Sequence, residues 1–318
     1  MHAIRQHEFG PAGNLRFERT PDPEPGVGQV RITVTSAGVH VLDTSIRRGE
    51  GGGPFPLPEL PVTPGREVAG VVTALGDGVE PHWLGKRVVA HLGQAGGGYA
   101  ELAVANAASL HEVPDHVSDD AAVAMIGTGR TAVGVLRIAE LTADDVVLVT
   151  SAAGGLGSLF VQEAKAIGAT VVGAASTAKL DLVRQLGADV VADYTRPGWD
   201  DGISGVTAVL DGVGGDVGRT ALELLGVGGR IVLFGWTSGE RTRLDSGDLY
   251  TRGLTATVAV GPRMMKGTSL RGLEETSLRA LSEGRLIPLT TTFPLSEAAE
   301  AHTALEGRAT VGKVVLKP

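Results

Sequence analysis

A glycine-rich turn in the middle of the chain has the residue spacing of a phosphate-binding loop. Ser151-Ala152-Ala153-Gly154-Gly155-Leu156-Gly157 directly follows the apolar run 146–149 and precedes a stretch with helical spacing. It fits the pattern G-x-G-x-x-G, with Ala152 in the first glycine position. Gly154 would let the backbone approach a pyrophosphate, Gly157 would let the helix pack on the strand, and the free N–H groups at the helix start attract phosphate. The pattern favours a dinucleotide-binding turn, and a tight turn without a ligand is the alternative.

The end of the second predicted strand distinguishes two dinucleotides. NAD enzymes usually place Asp or Glu about 20 residues after the glycine motif, where it binds the ribose 2′-hydroxyl. Here residues 173–179 read Gly-Ala-Ala-Ser-Thr-Ala-Lys, and the first carboxylate is that of Asp181. Ser176 and Thr177 can donate hydrogen bonds and Lys179 can face a 2′-phosphate, which favours NADPH. The alternative is that Lys179 lies on a solvated helix face.

The elements that would position these residues change in type near residue 120. After it, apolar runs alternate with helical stretches, which predicts a doubly wound parallel sheet over residues 122–262. Before it, short alternating runs such as Val30-Ile32-Val34 lie between Gly and Pro turns and predict an antiparallel β-rich domain over 1–121. Prolines from Pro54 to Pro64 mark a long loop in that domain. Residues 263–318 are expected to return to the first domain.

Composition narrows the class of protein. The 318 residues include 47 Gly and no Cys, and the net charge is −8. The lack of Cys excludes disulfides, thiolate zinc sites and a Cys nucleophile. The negative charge opposes binding to nucleic acid, so we expect no nucleic-acid partner. No apolar stretch reaches about 20 residues, and the charged N-terminus is not typical of a signal peptide, so we expect a cytoplasmic protein without a membrane span.

Several further motifs follow one another in a fixed order. They are Ala37–Asp43, Pro64–Val72, Gly85–Val88, Gly97–Glu101, Gly129–Ala132, Leu186–Asp189, Gly228–Arg230, Phe234-Gly235 and Gly312–Leu316. Together with the glycine turn, this set resembles the zinc-independent, zeta-crystallin-like quinone oxidoreductases of the medium-chain dehydrogenase/reductase superfamily. The resemblance implies an α/β fold with a GroES-like substrate domain, a Rossmann domain and a cleft between them. It also implies NADPH-dependent hydride transfer to a quinone or an activated enone.

The sequence agrees with the zinc-free branch of that superfamily. Zinc-containing relatives need a Cys ligand and a Gly-His-Glu motif, whereas this chain reads Gly65-Arg66-Glu67. Its 8 His residues show no metal-ligand spacing. We therefore expect no metal site and a structural role for Glu67.

Two candidate catalytic residues follow from the resemblance. His40 stands where the family usually has Asn beside the nicotinamide. It could hydrogen-bond a substrate carbonyl or donate a proton, as histidine does near neutral pH, or it could simply pack. Asp43 matches an Asp of the family and could orient His40 or the chain. Ser45 stands where Tyr is common, so a Tyr proton donor is missing.

The resemblance also assigns cofactor contacts to residues outside the glycine turn. Thr131 is expected near the nicotinamide and pyrophosphate, Tyr194 on the adenosine side, and Gly214 and Gly215 near the adenine. The remaining contacts, on the nicotinamide side, are expected from Phe234, Gly235 and Trp236. Trp236 replaces a small or polar residue and could either wall the substrate pocket or pack.

The resemblance further implies a homodimer that pairs the strand at Leu254–Val260. An exposed apolar strand edge is a liability unless it is paired or covered. Two other functions stay open at this point. One is an enoyl reductase that acts on an acyl thioester, and the other is an NADPH-binding protein without turnover.

Overall fold

The computed structural model of the chain describes residues 1–51 and 56–318, so Pro54 of the predicted loop lies outside the described residues. The chain forms two compact units. Unit 1 comprises Met1–Thr128 and Pro288–Pro318, and unit 2 comprises Gly129–Ile287. The sequence predicted domain boundaries at 121/122 and 262/263. In the structure the second boundary follows Ile287, because helical residues after 263 pack within unit 2, as described below.

The strands and α-helices of the described residues have the following bounds. The strands are β1 His2–Gln6, β2 Leu15–Arg19, β3 Gln29–Val39, β4 Glu67–Leu75, β5 Arg87–His91, β6 Leu102–Asn106, β7 Leu110–Glu112, β8 Val146–Thr150, β9 Thr170–Ala175, β10 Val190–Asp193, β11 Val206–Asp211, β12 Leu225–Leu233, β13 Thr255–Val258, β14 Thr290–Pro294 and β15 Lys313–Lys317. The α-helices are α1 Val41–Arg48, α2 Asp119–Ala124, α3 Arg130–Ala139, α4 Gly155–Ile167, α5 Leu180–Gln185, α6 Gly215–Glu223, α7 Ser246–Arg252, α8 Leu270–Ser282 and α9 Ala298–Glu306.

Unit 1 is built on a mostly antiparallel sheet in the order β14-β15-β3-β4-β5-β7, with β6 also paired to β3. The alternation read from the sequence is present in β3, where Val30, Ile32 and Val34 are buried in the core. The β-rich first domain is thus confirmed.

The ends of three neighbouring strands meet in unit 1. Strand β3 runs antiparallel to both β4 and β15, with Ala37 opposite Val68 and Val39 opposite Val314. The last residues of β3 therefore lie beside the first residues of β4 and β15. This topology brings together the chain segments at 38–40, 67 and 313, which are far apart in the sequence.

Unit 2 contains a six-stranded parallel sheet in the order β10-β9-β8-β11-β12-β13. Numbered along the chain, this is the doubly wound order 3-2-1-4-5-6, and the order reverses between β8 and β11. The predicted doubly wound sheet is confirmed. Helix α8 packs against α3 inside this unit, which is why residues up to 287 belong to it.

One segment departs from the expectation about membrane spans. The helical stretch Asp119–Ala139 has 21 residues and is apolar enough to cross a membrane by length and composition. However, 56% of its most apolar window is buried inside the protein, and a π-helical turn at Met125–Gly129 interrupts it. Such burial is typical of a core helix, so length and composition alone do not identify a membrane span here.

Candidate active site

The glycine turn lies at the carboxyl end of β8, next to the position where the strand order reverses. The turn is closed by a hydrogen bond from Gly154 N to Ser151 O at 2.8 Å. Ser151 has a φ of 54°, which is unusual for a residue with a side chain. Ala152 and Ala153 are buried, and Ala152 N donates to Ala174 O at 2.9 Å. The turn is therefore anchored to the neighbouring strand β9.

Two glycines of the turn serve different purposes. A Cβ atom at Gly157 would lie 2.2 Å from the carbonyl oxygen of Ser151, so only glycine lets α4 approach the turn this closely. A Cβ atom at Gly154 would lie 2.9 Å from Ser151 Oγ and 3.2 Å from its carbonyl oxygen. Gly155 and Leu156 are half-buried at the start of the 13-residue helix α4. This open backbone at a helix N-terminus fits a pyrophosphate group.

A second loop at the same sheet edge follows β11. Asp211 is fully buried and accepts from Thr150 Oγ1 at 2.7 Å and from Val213 N at 3.0 Å. Gly214 has a φ of 71°, and a Cβ there would lie 2.1 Å from Glu240 O. Gly215 N donates to the same oxygen at 2.9 Å. The loop is thus held against the segment after β12.

That segment carries the predicted nicotinamide-side residues. Phe234 N donates to Asp211 O at 2.9 Å, and the ring of Phe234 packs edge-on against Phe160 with centroids 5.0 Å apart. Gly235 follows it, half-buried. The Trp236 indole is 53% exposed, with the Arg241 guanidinium 5.2 Å from its ring centroid. Within unit 2, Trp236 is therefore a surface side chain and not part of the core.

The end of β9 carries the predicted 2′-phosphate residues. Ser176 precedes a 3-10 turn at Thr177–Lys179, in which Thr177 is exposed and Lys179 is half-buried. The Thr177 hydroxyl donates to the carboxylate of Asp193. In the sequence, Asp181 is the first carboxylate after residues 173–179, and the contact with Asp193 was not predicted. Asp193 ends the adjacent strand β10, opposite Ala175, and the parallel pairing was the signal that could have revealed it.

The two other predicted cofactor residues of unit 2 lie on different elements. Thr131 is half-buried in the first turn of α3. Tyr194 directly follows β10 and packs, partly buried, against the core of unit 2. Its backbone N donates to Ala175 O at 3.3 Å, which holds it beside the end of β9.

In unit 1, Asp43 fixes the backbone around His40. Asp43 Oδ2 accepts from the backbone N–H of His40 at 2.8 Å and from the Tyr99 hydroxyl at 3.1 Å. Arg66 Nε lies 3.5 Å from the other carboxylate oxygen. These contacts hold the start of α1, where His40 is the N-terminal capping position. At His40, Asp43 therefore accepts a hydrogen bond from the backbone N–H.

The imidazole of His40 faces a buried charge cluster formed with Glu67 and Lys313. His40 Nε2 lies 2.6 Å from Glu67 Oε1, Lys313 Nζ lies 2.8 Å from Glu67 Oε2, and the two nitrogens are 3.0 Å apart. The side chains of Glu67 and Lys313 are 0% and 4% exposed, and that of His40 is 25% exposed. Burial alone would raise the pKa of Glu67, but the charges of His40 and Lys313 outweigh it and hold that pKa well below its usual range.

Two glycines make room for this carboxylate. A Cβ atom at Gly127 would lie 1.6 Å from Glu67 Oε1, and one at Gly38 would lie 2.4 Å from Glu67 Oε2. A structural role was expected for Glu67, but its partner Lys313 was not predicted. The register of β3 with β4 and β15 brings them together, and the sequence does not display that register.

Comparison with known proteins finds one family match within each of the two units. A family described as "Alcohol dehydrogenase GroES-like domain" matches residues 26–115, and one described as "Zinc-binding dehydrogenase" matches residues 155–273. A quinone oxidoreductase of Pseudomonas aeruginosa is 32% identical over 321 residues, which cover 98% of this chain and 97% of the relative. The chain belongs to the quinone oxidoreductase family of the medium-chain dehydrogenases/reductases.

Two further members of the superfamily are similar to this chain over nearly its whole length. A 2-haloacrylate reductase from Burkholderia sp. is 33% identical, with 98% of this chain and 97% of that protein covered. The solved structure of Escherichia coli quinone oxidoreductase complexed with NADPH shares 29% identity, superposes with a TM-score of 0.86, and is covered over 100% of both chains. The resemblance read from the sequence motifs is thus confirmed.

The zinc ion that one family description implies does not fit the residues of this chain. Within 1–51 and 56–318, no group of three or more His, Asp or Glu side chains could hold a metal ion, and the sequence has no Cys. At the candidate site, His40 and Glu67 are two potential ligands that lie together, but the Lys313 ammonium contacts both of them. A metal cation there would be repelled by that ammonium.

Proposed function

We propose that this quinone oxidoreductase family member is a zinc-independent reductase that transfers a hydride from NADPH to a quinone or a similar conjugated carbonyl. The observation that carries the proposal is the glycine turn of residues 151–157, located where the strand order of the parallel sheet reverses. Open α/β sheets bind their ligands at that position. The full-length similarity to quinone oxidoreductases supports the acceptor class.

The residues of unit 2 divide the cofactor among them. The turn from Ala152 to Gly157 would hold the pyrophosphate, and Ser176, Thr177 and Lys179 would hold the 2′-phosphate. Tyr194, Gly214 and Gly215 would contact the adenosine. Thr131 and the segment Phe234–Trp236 would contact the nicotinamide. When bound, NADPH supplies the hydride, while the protein orients it and excludes water.

His40 is the residue of unit 1 that we propose to hydrogen-bond the acceptor carbonyl or to give it a proton. A quarter of its side chain is exposed, which leaves part of the ring accessible. Asp43 would act as a positioning residue, because it bonds the His40 backbone and fixes the start of α1. A quinone can also take its protons from water, so the reaction does not depend on His40 alone.

A second candidate function is reduction of a conjugated carbon–carbon double bond. The similarity to a 2-haloacrylate reductase favours it, because addition of hydride to an enone or an acrylate uses the same cofactor. An enoyl thioester would be reduced in the same way. The third possibility is a protein that binds NADPH without turnover.

A panel of acceptors separates these functions. Purified protein is incubated with NADPH and with benzoquinone, crotonyl thioester or 2-chloroacrylate, and NADPH oxidation is followed in the steady state. We expect benzoquinone to be reduced fastest. Faster turnover of the thioester or the acrylate would assign double-bond reduction, and NADPH binding without turnover of any acceptor would contradict the enzyme proposal.

The zinc-free proposal has its own experiment. The protein is treated with a strong chelator, freed of metal by gel filtration, and assayed with and without added zinc. We expect equal activity in both cases and a metal analysis below one zinc per chain. Activity that is lost on chelation and restored by zinc would overturn this part of the proposal.

A further inference from the structure

The carboxylate of Asp193 is fully engaged at the edge of the sheet where the cofactor is proposed to bind. Its Oδ1 atom accepts from the hydroxyl and the backbone N–H of Thr195, at 2.5 and 3.1 Å. Its Oδ2 atom accepts from the Thr177 hydroxyl and pairs with Arg196 Nε at 3.0 Å. Each oxygen thus has two partners, and the side chain is only 10% exposed.

These hydrogen bonds limit the contacts that the Asp193 carboxylate can make with a bound dinucleotide. A carboxylate near the end of the second strand in NAD enzymes accepts from the ribose 2′-hydroxyl. The lone pairs of Asp193 already serve Thr177, Thr195 and Arg196, so the carboxylate is not available as a ribose acceptor. The bonds from Thr177 and Thr195 also lower the pKa of Asp193, which keeps it charged at neutral pH.

Arg196 has the opposite character. Its side chain is 69% exposed, and the contact with Asp193 uses Nε. A guanidinium has five N–H groups, so the four on its two Nη atoms remain beyond this contact. These form the planar fork that binds phosphate oxygens in pairs. Because β9 and β10 are adjacent and parallel, Arg196 follows the strand end next to Ser176, Thr177 and Lys179.

A neighbouring arginine with a different arrangement serves as the comparison. Arg184 on α5 also pairs with a carboxylate, that of Asp181, but through Nη1 at 2.5 Å. The Asp181 side chain is 89% exposed, as expected for a solvated ion pair on a helix surface. Arg184 is therefore a matched control of the same residue type.

We propose that Arg196 is a specificity-determining residue that binds the 2′-phosphate of NADPH together with Lys179. Asp193 is its positioning residue, because it holds Arg196 Nε and the Thr177 hydroxyl at the same strand ends. This inference rests on the proposed NADPH-dependent function. The sequence favoured NADPH because no carboxylate was found near the expected 2′-phosphate position. The structure places the carboxylate of Asp193 beside Thr177, and Arg196 balances its charge.

The test compares Arg196→Ala with Arg184→Ala in the full-length protein by calorimetric titration. NADPH, NADH and adenosine 2′-phosphate are titrated into each. Arg196→Ala should weaken NADPH and adenosine 2′-phosphate by about tenfold, the lower range for a charge-assisted bond at an exposed site, and should leave NADH unchanged. The loss should shrink at high ionic strength. Arg184→Ala should change none of the three affinities.

The outcomes separate this inference from the function on which it rests. A wild-type preference for NADPH with no loss in Arg196→Ala would overturn the role of Arg196 and leave the NADPH proposal standing. A wild-type preference for NADH would overturn the NADPH proposal itself. Asp193→Asn gives a second readout: NADH affinity should not fall, and a clear loss of NADH would show that the carboxylate binds the ribose.

Discussion

The Nε2 atom of His40 lies 2.6 Å from Oε1 of Glu67, a carboxylate with no exposed surface. The antiparallel pairing of β3 with β4 and β15 creates this contact, because it places the end of one strand beside the starts of two others. Lys313, the first residue of β15, compensates the charge of Glu67. The candidate reacting group of unit 1 is thus anchored to a buried ion cluster and not to a mobile loop.

Removing the charge of Glu67 should destabilise the protein. In Glu67→Gln the Lys313 ammonium stays buried without its carboxylate, and breaking a buried ion pair from one side costs about 3–5 kcal/mol. Urea unfolding measures the loss. The double variant Glu67→Gln/Lys313→Met removes both charges and should recover much of the stability, and a single variant as stable as wild type would show that the pair contributes nothing.

His302 should make the stability depend on pH. It is fully buried, its Nε2 atom lies 3.2 Å from the Tyr99 hydroxyl, and its Nδ1 atom has no partner within the described part of the chain. Burial lowers the pKa of His302 to about 4. Because the folded pKa is below the ordinary value of about 6.5, the neutral ring contributes fully above about pH 6.5, and stability is lost as the pH falls toward about 4.

The expected size of this effect is up to about 3 kcal/mol between those pH values. Urea unfolding of wild type and His302→Gln at a series of pH values checks it. The variant has no titrating ring, so its stability should fall less steeply over the same interval. Parallel curves for the two proteins would contradict the assignment, whatever their difference in absolute stability.

The parallel sheet could be predicted closely from the sequence, for a physical reason. Central strands such as β8 are buried on both faces and read as continuous apolar runs, so the apolar run 146–149 of the sequence lies within the observed strand Val146–Thr150. The position of Tyr99 could not be predicted in this way, because tertiary contacts hold it: its backbone N–H donates to Pro64 O and its hydroxyl donates to Asp43.

The candidate site was predictable where it is local and not where it depends on register. The glycine turn is contiguous, so its residues identify it. The partnership of Glu67 with Lys313, and that of Thr177 with Asp193, depend on which strands lie side by side. A single sequence does not show which strands are neighbours. It does indicate that Asp193, at the end of a parallel strand, lies at the edge of the sheet where the cofactor is proposed to bind.

The two glycines of the turn should respond differently to alanine. At Gly157 a Cβ would lie 2.2 Å from a backbone carbonyl, so Gly157→Ala should lower the melting temperature. At Gly154 the backbone has φ −78° and ψ 173°, which any residue adopts, and the Cβ would face mainly Ser151. Gly154→Ala should therefore fold normally but bind NADPH more weakly, and Gly154→Val should abolish binding.

Thermal unfolding and cofactor titration of these variants check the assignment. Unchanged NADPH affinity in folded Gly154→Val would remove the phosphate-binding role of the turn. A Gly157→Ala protein as stable as wild type would show that α4 can shift away from Ser151 at little cost.

The edge strand β13 should mediate a homodimer. It pairs with β12 on one side, and Val258 and Val260 are 64% and 45% exposed. We propose that two copies pair these edges, as the family resemblance implies. Light scattering should give a dimer for wild type and a monomer for Val258→Glu, since a charge at the edge opposes pairing; a monomeric wild type at micromolar concentration would refute the proposal.

The most direct test of the NADPH proposal is the steady-state oxidation of NADPH and of NADH, with benzoquinone as the acceptor, by wild type and Lys179→Ala. We expect kcat/KM to be higher for NADPH than for NADH in wild type. We also expect Lys179→Ala to lower the NADPH value by roughly 10- to 150-fold, the worth of one charge-assisted bond, and to leave the NADH value unchanged. A wild-type preference for NADH, or equal small losses with both cofactors, would contradict the proposal.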